Sequence, residues 1–114
     1  MTTRHPIEYE LDPKHLESGL RWVELRIKNV GEKTLAGLEV RLNSSEAYSL
    51  DVQGSGTHVA LLRSGEETIH PFQVMANLTD KLYVSIDGYQ EDGRFHWESP
   101  GIRIVVGEPV AELG

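Results

Sequence analysis

Cysteine is absent from this chain of 114 residues. Its absence excludes disulfide bonds, thiol nucleophiles and thiolate-bound metal centres such as iron–sulfur clusters and blue-copper sites. Long hydrophobic runs are missing too, because no stretch approaches the roughly 18 apolar residues of a membrane-spanning helix. Residues 1–6 are polar and no apolar segment follows them, unlike a signal peptide. We therefore expect no membrane insertion, and a cytoplasmic location unless the domain is cut from a longer exported chain.

Positive charge is scarce relative to negative charge. The chain has 11 Lys and Arg against 18 Asp and Glu, which gives a formal net charge of −7. Nucleic-acid-binding domains carry a basic face, so we expect no nucleic-acid partner. An acidic surface favours a partner with positive surface. The length suits a single domain, which we place at residues 1–107, with a frayed C-terminal tail at 108–114.

Alternation of apolar and polar residues is the dominant pattern that is present. Val23, Leu25 and Ile27 alternate with charged residues, and the segments 38–43 and 82–86 repeat the pattern. Such alternation is typical of antiparallel strands with one buried face, and no window shows a helical apolar stripe. Short strands between glycine-rich turns predict an all-β sandwich or barrel. The predicted strands lie near 6–11, 20–30, 36–43, 47–53, 57–62, 67–75, 81–89 and 94–106.

Two of the segments that connect these strands contain residues that favour tight turns. Asn29 and Gly31 open a polar turn, since both residue types tolerate positive φ. Asp92 and Gly93 form an Asp-Gly pair, which is a strong short-range hairpin signal. We expect this hairpin to pair the segment 82–90 with the segment that follows it, 94–98.

Two of the predicted strands contain breaks. Pro71 cannot donate a hydrogen bond to a ladder, so it predicts a bulge or an edge position. In the last strand the inward residues change from odd numbers, such as Trp97, to even numbers, such as Ile102. We expect a bulge or kink at residues 99–101 to reset which side faces the core.

The order of segments from residue 20 to residue 106 resembles a known kind of domain. The stretches that carry the resemblance are Lys28-Asn29-Val30-Gly31, Leu38 to Leu42, Leu61-Leu62-Arg63-Ser64-Gly65-Glu66-Glu67 leading into Phe72-Gln73-Val74, and Leu82 to Asp87. They resemble the CARDB and NEW3 kinds of immunoglobulin-like domain of bacterial and archaeal proteins. The resemblance implies a seven-stranded sandwich and non-catalytic use as an accessory or adhesion-like module. Together with the predicted strands, it leads us to expect an all-β, immunoglobulin-like antiparallel β-sandwich of about seven to eight strands.

Residues with reactive side chains do not form a recognisable catalytic pattern. The five histidines have no pair at ligand spacing, and a zinc site needs three or four converging donors. The segment 54–56 is too short for a Gly-x-Ser-x-Gly elbow or for a phosphate-binding loop. We therefore predict no enzyme activity and no cofactor. The one candidate metal site is a calcium site at Asp87, Glu91 and Asp92, because carboxylates on sandwich loops can hold Ca²⁺.

Large aromatic residues supply the candidate binding surface. Trp97 shares parity with Phe95 and is expected in the core. Trp22 has the parity of the charged residues of its strand and is expected to face outward. The alternative to a binding role is that Trp22 covers one end of the sandwich, with Arg or Lys stems along its ring. Tyr83 and Tyr89 are expected on the face of their strand opposite to its apolar residues. Trp22 with Tyr83 or Tyr89 could form a stacking surface for a sugar, or the anchor of a protein interface.

Three functional hypotheses follow from these patterns. The leading one is a non-catalytic interaction module that binds another protein, or itself, through a sheet face or an exposed edge strand. The second is a carbohydrate-binding module that uses the surface aromatics. The third is an accessory domain stabilised by Ca²⁺.

Overall fold

Ten β-strands account for most of the residues that the computed structural model describes, which are 6–54 and 56–107. The predicted frayed tail at 108–114 lies outside the described residues. The strands are β1 (Ile7–Asp12), β2 (His15–Leu16), β3 (Gly19–Asn29), β4 (Leu35–Ser44), β5 (Leu50–Gln53), β6 (Thr57–Leu62), β7 (Glu67–Ala76), β8 (Asp80–Gln90), β9 (Gly93–Glu98) and β10 (Ile102–Val106).

The strands form two sheets, which confirms the predicted immunoglobulin-like β-sandwich. One sheet has four strands in the order β1-β3-β7-β5. The other has six, in the order β2-β10-β8-β4-β6, and β9 also pairs with β8. All ladders are antiparallel except the short pairing of β10 with β2. No helix able to cross a membrane occurs among residues 6–54 and 56–107.

The observed strand number exceeds the predicted seven to eight for two reasons. β2 has only two residues, which is too short to show any alternation, and it forms by pairing with Val105 and Val106. The predicted last strand is divided into β9 and β10. The ladder of β8 shifts by one residue between them, because Ser85 pairs with Glu98 whereas Leu82 pairs with Ile102. This is the predicted bulge.

The core lies between the two sheets and contains the inward residues of both. Val23, Leu25 and Ile27 are buried, as the alternation predicts. Trp97 is also buried, which confirms its predicted core position. Its ring centroid lies 5.2 Å from that of Tyr9, with the two ring planes tilted by 58°. Tyr9 belongs to the four-stranded sheet and Trp97 to the six-stranded sheet, so this aromatic pair joins the two layers.

Pro71 lies within β7 but produces no bulge there. The ladder of β7 with β3 runs from Glu67 to Ala76 without a register shift, so of the two predicted alternatives, a bulge or an edge, the bulge is wrong. β7 is an inner strand, yet β5 pairs only with its residues 73–76. Pro71 therefore lies where β7 has a neighbouring strand on one side only, and such a local edge tolerates a residue without an N–H.

Candidate functional site

Trp22 lies on the outer face of the four-stranded sheet. It is 60% exposed, which confirms its predicted outward position. Its cross-strand neighbour on β7 is Gln73, and Gln73 is opposite Gln53 on β5. Trp22 therefore begins a row of three outward side chains that crosses the sheet.

Apolar side chains lie in the rows on either side of Trp22, because alternate residues of β3 and β7 point outward together. We call the outward apolar residues of these two strands the Trp22 patch. Its members are Leu20, Trp22, Ile69, Pro71 and Met75. Leu20 and Met75 lie one row from Trp22 on one side. On the other side, Pro71 lies one row away and Ile69 two rows away. Leu20 is 46% exposed and Ile69 is 48% exposed. Exposed apolar groups of this kind are more common at interaction surfaces than elsewhere on a protein.

A hollow of about 340 Å³ lies beside Trp22, at the side of the sheet where β5 ends. Gln53, Gln73 and Pro71 contribute to its lining, together with the residues that lead into β6. The side-chain amide of Gln53 donates to the carboxylate of Asp51 at 3.1 Å. The hollow thus combines an exposed aromatic ring with two amide side chains.

Carboxylates predominate around the Trp22 patch. The outward acidic residues of this face are Glu8, Glu10, Asp12, Glu24, Asp51 and Glu67. The outward cations are Arg26 and Lys28, and Nε of Arg26 lies 3.4 Å from Oε2 of Glu67. Salt bridges between exposed side chains contribute little to stability. The excess of negative charge does, however, give this face an attraction for basic groups.

Tyr83 and Tyr89 do not lie near Trp22. Both belong to β8 of the six-stranded sheet and face away from the core, whereas Trp22 faces outward from the other sheet. They are also six positions apart on β8, roughly 20 Å at about 3.4 Å per residue. The expected joint stacking surface of Trp22 with Tyr83 or Tyr89 is therefore not formed. The outward neighbours of Trp22 belong to its own sheet.

The outer face of the six-stranded sheet carries a second hollow, of about 420 Å³. Tyr89, Arg94, His96, Asp87 and Glu39 contribute to its lining. Nδ1 of the His96 ring lies 2.5 Å from Oδ1 of Asp87, and Nε2 lies 3.6 Å from the carboxylate of Glu98. The hydrogen bond to Asp87 raises the pKa of His96 above its ordinary value of 6.5.

This second hollow offers proton-exchanging groups, and among the described residues that line it the hydroxyl is the phenol of Tyr89. Nucleophilic catalysis needs such a group next to a base. The ring nitrogens of His96 lie against the carboxylates of Asp87 and Glu98 rather than against that phenol.

The three carboxylates of the calcium hypothesis are not gathered around one point. Asp87 contacts His96, whereas Oδ2 of Asp92 lies 2.7 Å from Nζ of Lys33. This contact lowers the pKa of Asp92 and raises that of Lys33. Glu91 is exposed in the turn between β8 and β9. Residues 6–54 and 56–107 contain no group of three His, Asp or Glu side chains arranged to hold a metal ion.

The remaining described histidines are separate from one another. His70 lies opposite Leu25, and its Nε2 is 2.8 Å from Oγ1 of Thr68. Burial lowers the pKa of His70. Nδ1 of His58 lies 3.3 Å from a carboxylate oxygen of Glu39.

Part of the Trp22 patch was missed by the sequence analysis. Ile69, Pro71 and Met75 share parity along β7, and this parity was readable in the sequence. What the sequence did not show is that β7 pairs with β3, which brings these residues beside Trp22.

Comparisons with known proteins confirm the fold and no more than the fold. No protein-family model matches the chain, and no curated protein matches it. The resemblance to CARDB and NEW3 domains is thus confirmed only as a likeness to immunoglobulin-like sandwiches.

The solved structures similar to this chain include two bacterial alpha-2-macroglobulins and one human complex. A mutant of Salmonella alpha-2-macroglobulin has a TM-score of 0.65 at 18% identity, and E. coli alpha-2-macroglobulin in its native conformation has 0.60 at 20% identity. In both cases the match covers 90% of this chain and 7% of the other, so this chain spans a small fraction of their length. The complex of human zinc 2-glycoprotein with prolactin inducible protein, from seminal plasma, has 0.59 at 15% identity, covering 90% of this chain and 93% of that one.

Proposed function

We propose that this domain is a non-catalytic interaction module that binds a partner protein through the outer face of its four-stranded sheet. The observation that carries the proposal is the 60% exposure of Trp22 within a group of apolar side chains. Tryptophan is enriched among the residues that dominate binding energy, and such residues lie near the centre of an interface. Neither hollow offers a deep site for chemistry, which supports binding rather than catalysis.

The charges around the Trp22 patch indicate the chemistry of the partner. The patch is apolar at its centre and is bordered by carboxylates such as Glu10 and Glu24. A complementary partner surface has an apolar pocket for Trp22 and Lys or Arg residues around it. Dissolved ions screen the attraction between these charges, so the association rate with the partner should fall as the salt concentration rises. One of the similar structures was itself solved as a complex of two proteins, which agrees with this use of the fold.

Site-specific photo-crosslinking tests the proposal. A photo-reactive phenylalanine analogue replaces Leu20, which leaves Trp22 intact, and in a control it replaces Tyr89 on the opposite face. Crosslinking is carried out in the source cells and the captured chain is identified by mass spectrometry. We expect one protein to be captured at position 20 and absent at position 89. The same set of proteins at both positions, or no capture at position 20, would overturn the proposal.

A neutral carbohydrate is the second candidate ligand. The observation in its favour is the hollow beside Trp22, where an aromatic ring lies near the amides of Gln53 and Gln73. An aromatic face can stack on the C–H groups of a sugar, and amides can bind hydroxyls. Titration with soluble oligosaccharides, followed by tryptophan fluorescence, tests this candidate. The variant Trp22→Ala should lose all binding while its melting temperature stays nearly unchanged.

A further inference from the structure

The free edge of β6 is a second interaction surface, separate from the Trp22 patch. β6 is the terminal strand of the six-stranded sheet, and in the described part of the chain its ladder is with β4 alone. Half of the backbone N–H and C=O groups of a terminal strand point away from the sheet. Those of Thr57–Leu62 are thus available to a further strand.

The other sheet edges carry features that discourage strand addition. β1 places Glu8, Glu10 and Asp12 along its edge. β5 and β2 are short, with four and two residues. β9 carries Arg94, His96 and Glu98 and is followed by the bulge. Charges, short length and bulges are the usual means by which proteins protect edges against pairing.

β6 lacks the charges and the short length that protect the other edges, and its one irregularity is that Ala60 and Leu61 are both exposed. Its sequence, Thr-His-Val-Ala-Leu-Leu, contains no Asp, Glu, Lys, Arg or Pro. Its one titratable residue, His58, contacts Glu39 of the same sheet. Leu61 is 42% exposed, and it begins an outward row that continues through Ala36 to Tyr89.

We propose that β6 pairs antiparallel with β6 of a second copy of this chain, which makes one continuous sheet across a two-fold axis. A two-fold axis presents the same strand from both sides, so each copy satisfies the free backbone groups of the other. Charge selects this edge for self-association. Two copies that each carry a net charge of −7 repel one another, and β6 is an edge at which no carboxylate of the strand opposes its equivalent.

Pairing also extends the apolar row that starts at the edge. The row of Leu61, Ala36 and Tyr89 reaches the free side of β6 at Leu61. Pairing over residues 57–62 places β6 of the second copy against this end of the row. Leu61 then loses contact with water, which adds apolar burial to the backbone hydrogen bonds.

Light scattering after size exclusion, from micromolar to hundreds of micromolar chain, tests this dimer. We expect the wild-type mass to rise from 12.8 kDa toward twice that value as concentration increases. Ala60→Lys, an exposed position in β6, should remain monomeric because two lysines would face each other near the axis. The matched control is Leu78→Lys, which adds the same charge at an exposed position between β7 and β8. It should dimerise as the wild type does.

Hydrogen exchange on the unmodified chain gives a second measurement that does not depend on the folding of a variant. Amides within 57–62 should exchange at least tenfold more slowly at high concentration than at low concentration, while those of β1 should not change. A wild-type mass of 12.8 kDa at every concentration would overturn the proposal. So would equal dimerisation of Ala60→Lys, or concentration-dependent protection outside β6 only. Trp22→Ala leaves this edge unchanged, so failure of one proposal does not imply failure of the other.

Discussion

The side-chain amide of Asn29 donates a hydrogen bond of 2.9 Å to the backbone carbonyl of Leu62. The same amide donates to the carbonyl of Lys33 at 2.8 Å, and its oxygen accepts from the N–H of Gly31 at 3.0 Å. Asn29 is completely buried. One side chain therefore shapes the turn that joins β3 to β4 and fixes it to the end of β6.

Replacement of Asn29 by Ala should strongly destabilise the fold. The variant leaves the buried carbonyl of Leu62 without its partner, and such unsatisfied groups cost about 1–3 kcal/mol each. We expect the free energy of unfolding to fall by about 2–4 kcal/mol, measured by urea denaturation. The control is Asn43→Ala, since exposed Asn43 makes one side-chain hydrogen bond, to Ser85. A loss for Asn29→Ala no larger than that of the control would contradict this role.

Gly88 is required by close packing at the bulge of β4. A Cβ on Gly88 would lie 2.5 Å from Cδ2 of Leu38 and 2.8 Å from the carbonyl oxygen of Ala36. The ladder of β4 with β8 shifts register at this point, between Ala36 and Glu39. Gly88→Ala should therefore lower the free energy of unfolding by about 2 kcal/mol or more, because backbone has to move.

Gly101→Ala provides the comparison for Gly88. Its nearest obstacle is Cδ of Lys81, at 2.7 Å, and this flexible side chain can move away. We expect Gly101→Ala to lower the free energy of unfolding by well under half as much as Gly88→Ala does, measured by chemical denaturation. If both variants lost the same free energy of unfolding, the close approach of Gly88 to β4 would not be the cause of the destabilisation.

The contact between His96 and Asp87 predicts a pH dependence. Because this hydrogen bond raises the folded-state pKa of His96 above 6.5, the contact stabilises the fold fully below pH 6.5. The stabilisation is lost as pH rises through the raised pKa. By NMR, the ring protons of His96 should titrate above 6.5 in the wild type and closer to 6.5 in Asp87→Asn. An identical midpoint in both proteins would exclude Asp87 as the cause.

Calcium should have no effect on thermal stability. Asp87 and Asp92 are engaged with His96 and Lys33 and do not converge on a common point. A ligand that binds the folded state alone raises the melting temperature. We expect the same melting temperature in millimolar Ca²⁺ and in chelator. A rise of several degrees with Ca²⁺ would restore the calcium hypothesis.

Much of the fold was predictable because alternation reports directly on which side of a strand is buried. Trp97 in the core, Trp22 outside and the bulge near Ser99 all follow from parity along a single strand. β2 was not predictable, because two residues carry no period. Pro71 was predicted as a bulge or edge, and only the pairing of β5 shows that it is a local edge.

The candidate site was less predictable than the fold, because parity does not say to which sheet a strand belongs. Trp22 and Tyr89 both face outward, but β3 and β8 lie in opposite layers. That separation depends on pairings between residues distant in sequence, such as Trp22 with Gln73. The apolar neighbours of Trp22 on β7 become visible only through the same pairing.

The most direct test of the proposed function is the affinity of the partner captured at position 20 for three purified forms of this chain. These are the wild type, Trp22→Ala and Tyr89→Ala, whose two substituted residues are similarly exposed on opposite faces. Loss of a dominant aromatic anchor costs at least about 2 kcal/mol, which is roughly 30-fold in Kd. We predict that weakening for Trp22→Ala and wild-type affinity for Tyr89→Ala. Wild-type affinity for Trp22→Ala would contradict the account.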